Sequence, residues 1–557
     1  MSEFKRIVNV IPLTRVKLAG PQIFTYLVPL NLQDQLRPGQ LVKIPFGARR
    51  ILGVTTSFEM HRLPKEIKGL KSLDELLDAS PVLSQVNLAL AEQISRYYLV
   101  SLGLTVKAML PKRVKKLQEP TLAGFERANP DFVLTEHQRL AAAQISSALG
   151  KAEIFLLKGV TGSGKTEVYM RVIERVLEMG KQVIILVPEI SLTAQAVERF
   201  ARRFGIEKIA LLHSKLIDSE RAWMWRKIRN GSRPIIVGPR SAIFSPVPDL
   251  GLIILDEEHD QSFKQFDQNP KYHARTAASL LSRLWKCPLV LGDATPSVEM
   301  YYRAATSGKI KLLELPYRIK ADTAMPKIQI VDMKKERESG NKSIFSEYLK
   351  LAILDNLKNI KQIILFLNRR GMAPVVACRD CAYSPLCEDC ATPLVWHKSL
   401  GRLLCHHCGK KYAFPEVCPN CQGTSFVFWG AGTQTIEEEL GKFLSKNRIS
   451  KTLPRIARMD QDALNIPDSH NQIYTDWAGG KIDILIGTQV VSKGWDVSRV
   501  GLVGIVSADT ILHLPDFRSN ERTFQVLTQV AGRTGRGAEQ GLVILQTYLP
   551  GNYAIEA

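Results

Sequence analysis

The sequence predicts an α/β protein with two parallel-sheet lobes, a β-rich N-terminal domain and an inserted cysteine-rich module. Three observations carry this reading. Apolar β-rich runs alternate with helical stretches in two successive series. A glycine-rich phosphate-loop pattern lies between a strand and a helix of the first series. Eight of the nine cysteines fall between Cys378 and Cys421, inside the second series. The 557 residues suffice for several domains, and the 45% hydrophobic content is that of a globular chain. No run approaches about 18 apolar residues, and "MSEFKRIVNVIPL" lacks the apolar core of a secretory signal, so a cytoplasmic location with no membrane partner is expected. Lys and Arg outnumber Asp and Glu by 75 to 54, a net charge of +21, which points to a polyanionic partner.

Residues 1–112 read as one unit. "FTYLVP", "GQLVKIPFG" and "RILGVTTSF" are short β-rich runs punctuated by Pro and Gly, and "SQVNLALAEQISRYYLV" has helical periodicity. Residues 113–133 have mixed charge, two prolines and no period, and read as a linker. Lys112, Arg113, Lys115 and Lys116, around the start of this linker, either touch phosphate or form a solvated charged face. Residues 134–325 form the first lobe, with "EIFLLKG", "QVIILVPE", "PIIVGPR", "LGLIILDEEH" and "PLVLGDATPS" alternating with helical stretches, the form of βαβ units. Residues 326–557 form the second lobe, with "KQIILFLNRRG", "IDILIGTQ", "VGLVGIVSAD" and "GLVILQTY", interrupted by the insertion 378–421.

"GVTGSGKT", Gly159 to Thr166, fits G-x-x-x-x-G-K-[S/T] and has the required strand before it and helix after it. Gly159, Gly162 and Gly164 let backbone N–H groups close around phosphate oxygens at a helix N-terminus. Lys165 is expected to reach the β- and γ-phosphates and Thr166 to hold Mg²⁺, so ATP and Mg²⁺ are the expected cofactors. "LIILDEEH" ends an apolar strand in carboxylates at the same sheet edge. Asp256 suits the Mg²⁺ shell, and Glu257 suits deprotonation of an attacking water. His259 either couples the nucleotide to a second ligand or satisfies a local hydrogen bond. In "QVAGRTGRG", Gln529, Arg533 and Arg536 fall on a helical spacing. An arginine from a second lobe stabilises charge on a transferred phosphoryl group; the competing reading is structural ion pairing.

The cysteine pairs Cys378/Cys381, Cys387/Cys390, Cys405/Cys408 and Cys418/Cys421 are each C-x-x-C, separated by 5, 14 and 9 residues. Eight thiolates make two Cys₄ tetrahedral Zn²⁺ sites, closed and structural; iron–sulfur ligation is the alternative. Spacing alone leaves nested and sequential pairing both open. His397, His406 and His407 are surplus donors. Cys287 in "WKCPLVLG" reads as a small core residue.

The ordered set "GVTGSGKT", "LVPEISLT", "DEEH", "GDATPS", "GTQVVSKGWD" and "QVAGRTGR" resembles superfamily 2 helicases. "LHLPDFRSNERTFQVLTQVAGRTGR", "FLNRRGMAP", "GAGTQTIEEEL" and the cysteine spacing resemble, more narrowly, the primosomal protein N′ (PriA) family of replication-restart helicases. The resemblance spans essentially the whole chain. It implies RecA-like lobes and an ATP-dependent 3′-to-5′ DNA helicase that recognises branched DNA at stalled forks and initiates primosome assembly. A fork-binding scaffold with little unwinding and an RNA-directed helicase are the rival readings.

The resemblance also implies that Gln138 reads adenine and that Gly494 and Asp496 link the second lobe to nucleotide and DNA. It makes Arg533 and Arg536 the arginine-finger motif. Cys378, Cys381, Cys418 and Cys421 would hold one ion in nested pairing, and Cys387, Cys390, Cys405 and Cys408 the other. "HDQSFKQFDQNPKYHAR" matches the family's aromatic-rich loop. There Phe263, Phe266 and Tyr272 interleave with Lys264, Lys271 and Arg275 and form either a single-strand stacking surface or a partly buried loop. Phe24, Gly47 and Lys71 match positions around a free DNA 3′ end; Thr25 stands where the family has aspartate, which weakens acceptance of a 3′-hydroxyl. Implied partners are DNA forks and single strands, single-strand-binding protein and other primosome proteins. Relatives carry a winged-helix domain where residues 113–133 lie, and a C-terminal domain beyond "TYLPGNYAIEA". The contacts tied to those domains are not carried over.

Overall fold

The computed structural model describes the chain except residues 1–3, 63–68, 113, 115, 122–132, 189–193, 320–324, 368–374, 379–380, 382, 398–399, 430–432, 448–452, 460–468, 489–498, 515 and 535–539. The rest forms two compact units, Met1–Gly159 with Gly164–Pro316, and Val160–Ser163 with Tyr317–Ala557. The division at Pro316 lies upstream of the lobe boundary read from the sequence, and the N-terminal residues join the first parallel sheet in one unit.

The first unit opens with an antiparallel sheet whose strands are ordered Phe24–Leu27, Phe4–Pro12, Arg49–Arg62, Leu41–Phe46 and Glu75–Leu76. It has a small core of its own around Val8, Val10, Tyr26, Val42 and Ile44. The helix Gln85–Tyr97 follows, started by a capping box between Ser84 and Asn87. Its apolar face, Leu88, Leu90, Ala91 and Ile94, belongs to the same buried cluster as Leu156, Ile253 and Leu291 of the parallel sheet. That shared core explains why the N-terminal region is not a separate unit.

The parallel sheet has seven strands, ordered Ile310–Leu315, Ile154–Gly159, Leu289–Asp293, Leu250–Asp256, Gln182–Leu186, Ile235–Gly238 and Ile209–Leu211. Alternate residues face opposite cores. Ile184, Leu186, Ile253 and Leu255 enter one cluster, and Val183, Ile185, Leu252 and Ile254 the other. Burial on both faces is why these strands read as unbroken apolar runs.

The second unit repeats the plan with six parallel strands, ordered Lys327–Asp332, Leu542–Thr547, Val500–Ser507, Gln362–Leu367, Ile484–Gly487 and Ile456–Met459. Ile364, Phe366, Leu485 and Val503 face one core; Ile363, Leu365, Ile484 and Leu502 face the other. Between its strands lies an antiparallel five-stranded sheet, from Val375–Cys378 to Phe426–Trp429, which carries the cysteines. No helix among the described residues is long and apolar enough to cross a membrane.

Candidate functional site

Because the seven strands of the first unit run parallel, their C-terminal ends share one edge. Gly159, Asp256 and Asp293 are each the last residue of a strand there. Leu289–Asp293 lies between the other two, with Asp256 in register with Gly292 and Asp293 with Lys158. The loop after Gly159 turns through Gly162 and Gly164 at φ +85° and +79°, a left-handed backbone that glycine adopts at low cost. Gly164 caps the helix Lys165–Glu178, so the helix N-terminus faces the loop, the arrangement that binds anionic oxygens. Lys165 Nζ donates to the Gly159 carbonyl at 2.8 Å, and Thr166 follows it in the first turn.

Asp256 is partly buried at the end of its strand. The Tyr169 hydroxyl donates to its Oδ1 at 2.8 Å. Burial, and then the neighbouring Glu257 charge, raise its carboxyl to about 6 against the opposing effects of Lys165 and Tyr169. Gly292 makes room for this contact. A Cβ at that position would sit 1.6 Å from the Tyr169 hydroxyl oxygen and 3.2 Å from Asp256 Oδ1. Gly292→Ala is therefore expected to displace Tyr169 and to destabilise the fold by about 1–3 kcal/mol, as overpacking does. Denaturant unfolding of the variant checks this, and an unchanged midpoint would refute it.

His259 Nδ1 lies 2.7 Å from Asp293 Oδ2, and the His259 backbone N–H donates to the same oxygen at 3.0 Å. Thr295 N–H donates to Asp293 Oδ1 at 2.8 Å. Burial pushes the Asp293 carboxyl up, but the His259 pairing and these hydrogen bonds outweigh it and hold the group below its ordinary value. Of the two readings of His259, the local hydrogen bond is the one observed, and it joins the carboxylate turn to "GDATPS". Tyr169 and Asp293 were not singled out from the sequence. Tyr169 lies one helical turn after Lys165, on the same face, and "LVLGD" ends in a carboxylate just as "LIILD" does.

The remaining expected residues are distributed as follows. Gln138 is buried; its Oε1 accepts from Thr135 N at 2.9 Å while Thr135 Oγ1 accepts from Gln138 N at 3.3 Å, a capping box at the head of Glu136–Ser147. Gln529 is in the last turn of the helix Ser519–Ala531, whereas Arg533 lies beyond the helix end, so the helical spacing expected to run on from Gln529 to Arg533 is corrected. Gly532 ends the helix first. Gly494, Asp496 and Arg536 lie outside the described residues.

The stacking surface expected of the aromatic loop is also corrected. Phe263 is 0% and Tyr272 4% exposed, with Tyr272 packed on Phe244 at a ring separation of 4.8 Å. Two of the three rings thus belong to the core and cannot stack on bases; Phe266, 61% exposed, is free to. Arg275 is not a surface cation either, since it pairs with the buried Glu258. In the N-terminal sheet Phe24 packs edge-on against Phe46 at 5.0 Å, and Lys71 Nζ donates to the Gly47 carbonyl at 3.0 Å, so Phe24, Gly47 and Lys71 share one corner. Thr25 Oγ1 donates to Asn9 Oδ1 at 2.8 Å.

The eight module cysteines close into two groups, Cys378, Cys381, Cys418 and Cys421, and Cys387, Cys390, Cys405 and Cys408, with the sulfurs of each group within 4.8 Å of one another. This is the nested arrangement. The sulfur pairs Cys378–Cys421, Cys381–Cys418 and Cys387–Cys408 lie 3.5, 3.5 and 3.7 Å apart. Four sulfurs about 2.3 Å from one Zn²⁺ define a tetrahedron with an edge of about 3.8 Å, so the donor sets fit the metal. One turn builds all four pairs. The N–H groups of Cys378, Cys387, Cys405 and Cys418 bond the carbonyls of Tyr383, Thr392, Lys410 and Gly423 at 2.8–2.9 Å. Cys287 is buried in the core of the first unit, its thiol pushed up to about 12 by burial.

Family models match along the chain: a 3′ DNA-binding domain over residues 14–111, a DEAD/DEAH box helicase over 135–301, a PriA DNA helicase Cys-rich region over 387–411, and a helicase conserved C-terminal domain over 423–538. The replication restart protein PriA of Treponema pallidum is 40% identical over 546 residues, 96% of this chain and 79% of the relative. The chain belongs to the PriA family. The PriA of Bacillus subtilis is 46% identical over 434 residues, 78% of this chain and 52% of the relative, so the chain matches about half the length of that PriA. A solved structure of RecG bound to a three-way DNA junction is similar over 75% of this chain and 43% of its own, at 18% identity and a TM-score of 0.42. The PriA family models fall on the antiparallel domain and on the cysteine sheet, and the two helicase models on the parallel sheets.

Proposed function

We propose that the chain is an ATP-dependent 3′-to-5′ DNA helicase that recognises branched DNA at stalled forks and initiates primosome assembly. In this reading residues 1–112 bind a DNA 3′ end, and 134–325 and 326–557 are the motor lobes. The observation that carries it is the shared sheet edge, where the glycine loop, Lys165, Asp256 and Glu257 come from separate segments of the chain. Bound ATP and Mg²⁺ supply the phosphoryl group and the neutralising charge. The loop N–H groups and Lys165 hold phosphate oxygens, Thr166 and Asp256 orient the metal, and Glu257 takes the proton of the attacking water. Arg533 and Arg536 serve as the arginine fingers, Gln138 reads the base, and Gly494 and Asp496 couple nucleotide to DNA. Phe266 stacks on single-stranded DNA, while Phe24, Gly47 and Lys71 surround the 3′ end. The cysteine groups hold two Zn²⁺ that keep the module folded, and single-strand-binding protein and primosome proteins are the protein partners.

The test is ATP hydrolysis by the zinc-loaded chain without nucleic acid, and with single-stranded DNA, RNA or a model fork. Strongest stimulation by the fork supports the reading. Stimulation by RNA alone, or by nothing, would sink it.

The raised Asp256 carboxyl has a pH consequence. Its folded value, about 6, exceeds the ordinary 3.8, so the folded chain holds a proton there that the unfolded chain has lost. The stability gained from that proton is present below about pH 4 and is lost as pH rises through about 6. Mg²⁺ needs the deprotonated carboxylate, so its affinity in the presence of nucleotide is expected to fall about tenfold per pH unit below that value. Mg²⁺ titrations at pH 5, 6 and 7 check this; a flat profile would contradict it.

A further inference from the structure

We infer that Glu258 and Arg275 are positioning residues that hold the Glu257 carboxylate in its working place and tie it to the helix following the 261–272 loop. The inference rests on the ATP-hydrolysis reading above. Glu257 has φ +55°, a left-handed backbone in a residue with a long side chain. Such a conformation persists only where the surroundings over-determine it. Here they do. Asp256 before it is held in the sheet by pairing with Gly292. The Glu258 N–H after it donates to the Gly292 carbonyl at 3.3 Å, and Asp260 N–H donates to the Glu257 carbonyl at 2.9 Å.

The Glu258 side chain turns inward and is 0% exposed. Its Oε1 accepts from Ser297 N–H at 2.6 Å, and its Oε2 accepts from Arg275 Nη1. The same Nη1 donates to Ser297 Oγ at 3.0 Å. A buried carboxylate is expensive to desolvate, and a well-packed apolar residue in its place is often no less stable. What the ion pair adds is a fixed direction for the chain on both sides of Glu258. Arg275 is the second residue of the helix Ala274–Trp285, which is capped by His273; the His273 N–H in turn donates to the Tyr98 hydroxyl at 2.9 Å. The ion pair thus joins the Glu257 turn to the helix that begins where the 261–272 loop ends.

The test uses the full zinc-loaded chain with fork DNA and compares Arg275→Met, Arg275→Lys and Glu258→Gln. Arg275→Met is expected to lower kcat at least about tenfold, with KM for ATP and affinity for a non-hydrolysable ATP analogue within about twofold. Arg275→Lys, which keeps the charge, should recover at least about a third of the lost rate on a logarithmic scale. Where Arg275→Met does not fold, the isosteric Glu258→Gln reads the same quantity. A folded Arg275→Met or Glu258→Gln with wild-type kcat overturns the inference. So does a parallel fall of kcat, analogue affinity and melting temperature that Arg275→Lys does not rescue, because that marks a purely structural pair. If the unmodified chain hydrolyses no ATP, the parent reading fails and takes this one with it, an outcome distinct from an active chain with an active variant.

Discussion

Lys165→Ala is expected to lower fork-stimulated ATP hydrolysis by about 10²–10³-fold, the usual loss when one donor to developing charge is removed from a preorganised site. The side chain is well placed for such a loss. It sits at the first position of the helix, and its ammonium rests on the Gly159 carbonyl at 2.8 Å, at the edge of the phosphate loop. Nothing in the core depends on it, because the buried face of that helix is Val168, Tyr169, Met170, Val172, Ile173 and Val176. The variant should therefore melt with the parent chain and still bind DNA while losing turnover. Hydrolysis within threefold of the parent would remove the phosphate loop from the mechanism; a collapsed melting temperature would show that Lys165 matters to folding.

The second large effect concerns the cysteine module. Its own core is small: Val376, Leu394 and Leu403 with the buried sulfurs of Cys387 and Cys405. Such a core cannot offset the entropy of ordering the segment. Structural zinc contributes on the order of 10 kcal/mol to small domains of this kind. Chelation is therefore expected to unfold the module while leaving the parallel sheets intact, read as a loss of the low-temperature transition in calorimetry. The double variant Cys378→Ser, Cys418→Ser discriminates between the two pairings. With the sulfurs grouped as they are, both substitutions fall in one site, and metal analysis should return one Zn²⁺ per chain against an expected two for the parent. Sequential pairing would cost both ions. A visible absorbance band with iron in the analysis would instead support iron–sulfur ligation.

Much of this was legible in the sequence because it is local. A parallel strand covered on both faces is an unbroken apolar run, and the phosphate loop is a contiguous pattern in which Gly162 and Gly164 mark the positions of left-handed backbone. The four C-x-x-C pairs each encode one turn, and that turn recurs with the same backbone hydrogen bonds.

Local pattern was enough for the set of elements, the strand that ends in Asp256, and the count of clustered cysteines, since each follows from residues close together in the chain. The tertiary structure alone decided matters of pairing. It joined Cys378 to Cys421 across 43 positions and Tyr169 to Asp256 across 87. It placed Phe263 and Tyr272 in the core, where the sequence leaves a stacking surface and a partly buried loop both open. It also paired Arg275 with Glu258 instead of leaving it to face solvent. The physical reason is the same in each case. Periodicity and turn chemistry act over a few residues, whereas which side chain buries which is settled by the packing of segments far apart in the chain, and a single sequence carries no signal of that range.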